Sequence, residues 1–326
     1  MRILVTGGAG YIGSITTRVL LDAGHECVVL DTLERGYREA VDPRARLVVG
    51  SVGDVCRVGD ALEECDAVMH LAGYIEVAES VAFPERYDAA NAIEPLVMLD
   101  EMARRGIGAI VFSSTAAVYG EPDAVPIPED APTRPVNPYG ASKLAFERSL
   151  DEYGARNGLR SLRFRYFNVA GAWPDGSLGE AHEPESHIIP RVLRAMLDGQ
   201  SRFEVFGGDY PTVDGTCVRD YVHVLDLAHA HRIGLERLAM GSGGGVYNLG
   251  NGLGYSNREV VSTCAEVSGR DVEIVIGPRR AGDPATLVAS SERARQELGW
   301  VLERGDLAGI VGDAWRWHLE HPDGYR

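Results

Sequence analysis

Tyr139 and Lys143 stand four residues apart in the stretch Asn137-Pro138-Tyr139-Gly140-Ala141-Ser142-Lys143. Asn137 can cap a helix here, and Pro138 suits its first position, where a missing N–H costs nothing. The spacing predicts a helix starting at this point, with the phenol and the ammonium on one face. An ammonium beside a phenol favours the phenolate and lowers its pKa from about 10. Such a pair is a general base for a sugar or alcohol hydroxyl near neutral pH. Composition singles the pair out, because Lys143 is the only lysine among 32 basic residues. With 13 tyrosines in 326 positions, a randomly placed lysine falls four residues after a tyrosine about 4% of the time. Arginine does not replace a compact point charge, so a chain that uses arginine everywhere else needs an ammonium at this position.

The elements before this pair must bring it to a ligand. Arg2–Thr6 is a short apolar run of β type, and Gly7, Gly8, Gly10 and Gly13 follow at once. A helical pattern then runs through Val19, Leu20 and Leu21 to Gly24. A strand, a glycine turn and a helix are the context of a dinucleotide-binding fingerprint. The glycines let a pyrophosphate approach the backbone, and the helix N-terminus offers it unpaired N–H groups. Glu26–Leu30 reads as the second strand and leads into Asp31. An acid about 20 residues after the turn binds both ribose hydroxyls and repels a 2′-phosphate. The expected cofactor is therefore NAD rather than NADP.

Arg46–Val49, Ala67–Leu71, Ile110–Ser114 and Leu162–Phe167 read as further strands separated by helical patterns, one of which Asp54 opens. This alternation predicts an α/β fold, a doubly wound parallel (Rossmann-type) sheet with ligands at the carboxyl ends of its strands. Ala72 and Gly73 follow the fourth strand as small residues able to pass under a cofactor, and Thr115 falls at the end of the fifth. After about Gly171 the alternation is lost. The expected division is residues 1–172 as the NAD-binding domain and 173–326 as a second, smaller α/β substrate-binding lobe, with some segments returning to the first. Gly241–Gly245 precedes the strand-like Val246–Leu249 and reads as a connector, not a phosphate loop. Trp300, Trp315 and Trp317 in a helical tail read as packing. The nine histidines suggest no ligand spacing, so no metal is expected.

Hydrophobic residues at 45% and charged residues at 25% are ordinary for a globular enzyme. A formal net charge of −16 argues against a nucleic-acid or anionic-membrane surface. The five cysteines are odd in number and scattered, and they read as reduced thiols of a cytoplasmic protein. The sequence opens directly into a strand without a leader, and no apolar run approaches a membrane span.

Several segments together resemble the extended short-chain dehydrogenase/reductase superfamily over nearly the whole chain. They are Gly7–Gly13, His70–Gly73, Phe112–Gly120, the Tyr139/Lys143 pair, Arg165–Asn168, Phe206–Tyr210, Thr212–Tyr221 and Arg280–Asp283. The last three, in that order, resemble its UDP-glucose 4-epimerase (UDP-galactose 4-epimerase) family. The resemblance implies a NAD-dependent isomerase that inverts C4 of a UDP-hexose through a transient 4-keto sugar. Tyr139 would take the 4-hydroxyl proton as hydride passes from C4 to NAD. The sugar would then turn about its diphosphate link and receive hydride on its other face. By the same resemblance Lys143 would hold the nicotinamide ribose and lower the pKa of Tyr139, and Thr115 would bond the reacting sugar oxygen. Gly7, Gly10, Tyr11, Ile12, Gly13 and Asp31 would hold the adenosine half of NAD. Asn91 and Ser113 would line the nicotinamide side, with Val52, Leu71, Ala72, Gly73 and Tyr166 completing the cofactor contacts. Asn168, His187, Phe206, Arg219, Arg280 and Asp283 would hold UDP, with the arginines on the diphosphate, Phe206 near uracil and Asp283 on the ribose. Leu287 would lie beside the sugar's C2 substituent, where a side chain smaller than tyrosine leaves room for an N-acetyl group. A homodimer through helices near 83–105 and 138–157 is also implied.

The sequence departs from the family pattern at four places. Ser51 stands where an Asp near the adenine is usual, Ile75 where many members carry a Lys, Glu94-Pro95 for Gly-Thr, and His187 for an Asn. A nucleotide-sugar dehydratase or decarboxylase would need a carboxylate directly after Thr115, where Ala116 and Ala117 stand. An epimerase of UDP-N-acetylhexosamines or UDP-pentoses stays open, as does a non-catalytic NAD-binding module, although such a module is expected to have lost Tyr139 or Lys143.

Overall fold

Each apolar run expected to be a strand is one. They are β1 (Arg2–Thr6), β2 (Glu26–Asp31), β3 (Arg46–Val49), β4 (Ala67–His70), β5 (Ala109–Thr115) and β6 (Arg160–Tyr166) in a computed structural model that describes residues 1–280 and 283–325. Ala281 and Gly282, inside the Arg280–Asp283 segment, lie outside the described residues, as does Arg326. Three short strands follow β6: β7 (Asn168–Ala170), β8 (Arg202–Phe206) and β9 (Val218–His223). The next, β10 (Gly245–Leu249), pairs in parallel with β6 and completes a seven-stranded sheet of order β10-β6-β5-β4-β1-β2-β3. Every neighbouring pair in it is parallel. Because β-strand side chains alternate between faces, Ile3 and Val5 enter one core while Leu4 enters the other. The first core is covered by the helices Tyr11–Asp22 and Val224–Ala239. The second is covered by Val55–Ala61, Pro95–Arg105 and Pro138–Asn157. Strand order reverses between β1 and β4, so a crevice opens at their carboxyl ends.

A smaller unit is built around β9. It pairs with β7 and β13 (Thr286–Leu287) in parallel and with β11 (Gly254–Ser256) antiparallel. β8 pairs separately with β12 (Glu273–Gly277). The helices Ile188–Leu197, Asn257–Ser268 and Leu307–Glu320 close over these strands on a core that includes Val192, Phe203, Val205, Val260 and Ile310. Trp300 and Trp317 are each 1% exposed and Trp315 packs against the core of this smaller unit, so these three tryptophans are packing residues. Among the described residues, no helix is long and apolar enough to cross a membrane.

Candidate active site

The helix Pro138–Asn157 begins as its sequence dictates. The Asn137 side chain accepts a hydrogen bond from the Gly140 N–H at 2.8 Å, and Pro138 fills the first turn. Its aim is set one turn beyond Lys143. There the buried Glu147 carboxylate accepts from Arg165 Nε at 3.0 Å and Nη2 at 2.7 Å, and from the Ser114 hydroxyl. Arg165 lies on β6 and Ser114 on β5, so one carboxylate ties the helix to two central strands. Lys143 is 2% exposed, and its Nζ donates to the Ser113 carbonyl at 3.2 Å. A Cβ at Gly73, where φ is +153°, would lie 3.1 Å from that Nζ and 2.7 Å from Asn91 Oδ1, so only glycine fits between them.

Burial lowers the Lys143 ammonium to about 8. Burial also pushes the Tyr139 phenol above its ordinary value. The Thr115 hydroxyl beside it draws it back in part, and the Glu76 carboxylate adds to the rise. The sequence expectation of a phenol lowered by Lys143 therefore does not hold for the protein alone. The ammonium is engaged with the Ser113 carbonyl, and burial is the first cause of the shift in both groups.

At the crevice the glycine turn packs backbone on backbone. A Cβ on Gly13 would fall 2.0 Å from the Gly7 carbonyl oxygen, and one on Gly7 2.6 Å from Ala72 N. At Gly10 the nearest atom, the Gly7 carbonyl oxygen, would be at an ordinary contact distance of 3.4 Å, so backbone does not close this position, and Gly10 lines the cavity. Gly10 also has no side chain to cap the helix Tyr11–Asp22, whose first N–H groups are left for a ligand. Asp31 accepts from Ala9 N at 3.0 Å and Leu33 N at 2.9 Å, and burial raises its pKa.

A single cavity of about 990 Å³ runs from this turn to the smaller unit. It is lined by Gly7, Gly10, Tyr11, Ile12, Gly13, Asp31, Val52, Leu71, Ala72, Gly73, Ser113, Thr115, Tyr139 and Tyr166, and also by Asn168, His187, Phe206, Arg219, Arg280, Asp283 and Leu287. Two expected members are not in its wall. Lys143 sits behind Gly73. Asn91 is 1% exposed and spends its amide on Tyr74 N (2.8 Å), Tyr74 O (3.0 Å) and the Ser142 hydroxyl (3.1 Å), bracing the exit of β4 against the Tyr139 helix. In the smaller unit the Arg280 guanidinium lies 4.1 Å over the Phe206 ring and Arg219 is 3.7 Å from Asp283, which sets two cations and an aromatic face side by side.

Other residues of the wall were not singled out by sequence. Arg191 approaches Phe206 at 5.9 Å, and its place on a helix face carried no motif. Ser51 and Glu94, noted separately as departures, meet: the Ser51 hydroxyl donates to Glu94 Oε2 at 2.7 Å. The carboxylate absent at position 51 is thus present beside it, from a residue distant in sequence. His187 does not stand free, because its Nδ1 is 2.6 Å from the buried Glu180 carboxylate. Burial alone would push the His182 and His187 imidazoles down, but neighbouring Glu180 and Glu185 hold both up, His182 at about 10. Burial disfavours the Glu180 carboxylate, yet the two histidines hold its pKa below the usual range. The histidines taken alone suggest no ligand spacing; the signal passed over in the sequence is the alternation of Glu180, His182, Glu185 and His187 within eight residues.

A family model described as the NAD dependent epimerase/dehydratase family matches residues 3–250. The chain belongs to that family. The UDP-glucose 4-epimerase of Lacticaseibacillus casei is 47% identical over 100% of this chain and 99% of its own. A crystal structure of a UDP-glucose 4-epimerase superposes with a TM-score of 0.97 at 43% identity, covering 100% of both chains. The Bifidobacterium longum UDP-glucose 4-epimerase, crystallised with NAD+ and UDP, superposes with a TM-score of 0.94 at 34% identity over 99% of this chain and 100% of that one. The residues of this family member fit a dinucleotide. The turn is closed by backbone at Gly7 and Gly13 and open at Gly10, and Asp31 lines the same cavity.

Proposed function

We infer that this chain is a NAD-dependent isomerase that inverts C4 of a UDP-hexose, interconverting UDP-glucose and UDP-galactose. The observation that carries the reading is the convergence in one cavity of Thr115 and Tyr139, the glycine turn with Asp31, and Arg219, Arg280 and Phe206. Bound NAD supplies the hydride acceptor for C4 and a cationic ring that favours the phenolate. Tyr139 takes the O4 proton, and the Thr115 hydroxyl holds the same oxygen in line. Lys143 donates to the Ser113 carbonyl of β5 and would supply the charge that helps to hold the cofactor's ribose. Arg219 and Arg280 grip the diphosphate, Phe206 stacks near the base, and Asn168 and Asp283 complete the UDP contacts. The 4-keto sugar would then turn while UDP stays anchored, and Tyr139 would return the proton to O4 once C4 has been reduced from its other face. Ala116 and Ala117 provide no carboxylate beside Thr115 to carry the reaction on to dehydration.

The same reading takes residues 1–172, together with the returning segment 224–249, as the cofactor unit and most of 173–326 as the nucleotide-sugar unit. It also takes the protein to be a cytoplasmic homodimer. Phe83 (59% exposed) and Ile93 (62% exposed) offer an apolar face on the helices beside Pro138–Asn157, and all five cysteines are free thiols. Light scattering in solution is expected to give twice the chain mass, with Ile93→Glu shifting it to the monomer. The function is tested by incubating the protein with a panel of UDP-sugars and separating the products. Conversion of UDP-glucose to UDP-galactose to a fixed ratio is expected, and denaturation is expected to release about one NAD per chain. Release of NADP, or consumption of added cofactor in proportion to product, contradicts the reading.

A further inference from the structure

The connection that leads into the helix Ile188–Leu197 gathers four metal-ligand side chains. Glu180, His182, Glu185 and His187 each offer one oxygen or imidazole nitrogen, and these atoms all lie within 4.8 Å of one another. His187 Nδ1 is 2.6 Å from Glu180 Oε1 and 3.6 Å from Glu185 Oε1. His182 Nδ1 is 3.1 Å from Glu180 Oε1 and 3.8 Å from Glu185 Oε2. Ligands about 2.0 Å from a tetrahedral zinc stand about 3.3 Å apart, and the four separations straddle that value. The two carboxylates are each 5% exposed, and among the described residues no arginine or lysine pairs with either. Buried carboxylates require a compensating charge, which here comes only from the two imidazoles when protonated and which a bound dication would supply in place of those protons. A separate observation points the same way. Glu185 Oε2 and His182 Nδ1 are buried without a hydrogen-bond partner, although both lie within ion-pair distance of the cluster. Buried polar atoms are rarely left unpaired, and an ion is one of the partners that completes them.

We propose that Glu180, His182, Glu185 and His187 bind a Zn²⁺ ion. Two carboxylates and two neutral imidazoles make a site of charge −2, which the dication neutralises. The two nitrogen donors favour zinc over magnesium or calcium. All four ligands are protein side chains, so the site is closed and structural rather than catalytic. Its position shows what it holds together. The same connection gives the Gly171 carbonyl to the Tyr11 hydroxyl at 2.6 Å, and the His182 ring lies 6.4 Å from that of Tyr11. His187 is the N-cap of the helix Ile188–Leu197. The ion therefore pins the glycine turn to the helix that carries Arg191. Coordination through Nδ1 of His187 leaves Nε2 protonated, a hydrogen-bond donor on a ring that lines the cavity.

The test is metal analysis of the purified protein, followed by chelator treatment and titration with ZnCl₂ alone. About one zinc per chain with a Kd below about 0.1 µM is expected. Co²⁺ in its place is expected to give the intense visible absorption of a tetrahedral site. Glu185→Gln keeps the side-chain shape and is expected to weaken zinc about 100-fold, whereas the neighbouring Glu183→Gln leaves it unchanged. Wild-type protein that takes up no more zinc than a Glu180→Gln/Glu185→Gln variant, or a weak octahedral cobalt spectrum, overturns the proposal. Zinc is measured without any sugar, so this result and the epimerase reading stand or fall separately.

Discussion

In the proposed reaction the chemistry turns on Tyr139. Tyr139→Phe removes the proposed proton acceptor and is expected to cut kcat by about 10²–10⁴ with folding retained. Lys143→Arg keeps a charge but not its compact shape beneath Gly73, and a loss of similar size is expected; near-normal turnover would contradict the assignment. Lys143 also carries a stability cost. Its folded pKa of about 8 lies below its ordinary value of 10.5, so the unfolded chain holds more protons between those values. Stability therefore rises with pH across that window, and the buried ammonium costs about 3 kcal/mol at pH 7. Lys143→Met is expected to be inactive yet, when both proteins have been stripped of bound NAD, more resistant to urea than wild type at pH 7. The difference should shrink as pH rises from about 8 to 10.5, and a constant difference would sink the idea. Leu287 belongs to the same scale. If it borders the sugar's C2 substituent, Leu287→Tyr should reduce kcat/KM for UDP-N-acetylglucosamine far more than for UDP-glucose. Equal losses would leave it an ordinary wall residue.

The helix that carries Tyr139 and Lys143 was legible from Asn137 and Pro138, because capping is a local matter. What aims it was not. Glu147 and Arg165 sit on different elements, and only folding reveals that their side chains, 4% and 7% exposed, pair in the core. Arg165→Met leaves the Glu147 carboxylate buried and unpaired, and a loss of about 3–5 kcal/mol is expected in denaturant unfolding. Adding Glu147→Leu to that variant should restore most of it; no recovery would mean that the pair matters only through its shape. β10 was read as a strand but not as part of the large sheet. Val246–Leu249 reaches β6 only after the chain has crossed the smaller unit, and sequence order does not encode such a return.

Over the whole molecule, the sequence held both ends of the cavity without the distance between them. The glycine turn and Asp31 are contiguous motifs tied to one strand edge, so their placement follows from parallel-sheet topology. Phe206, Arg219 and the Arg280/Asp283 pair lie on three separate segments, and the fold around β9 is what sets them in one wall. Lys143 and Asn91 fall behind that wall because the crevice is too tight at Gly73 for anything but backbone. The central claim is that one resident cofactor takes hydride from C4 and returns it to the same carbon. The direct measurement is incubation of the protein with UDP-glucose deuterated at C4, without added cofactor, and analysis of the sugar product. The account predicts UDP-galactose with its deuterium retained at C4. Deuterium lost to solvent, or carried to C6 of a dehydrated product, would contradict it.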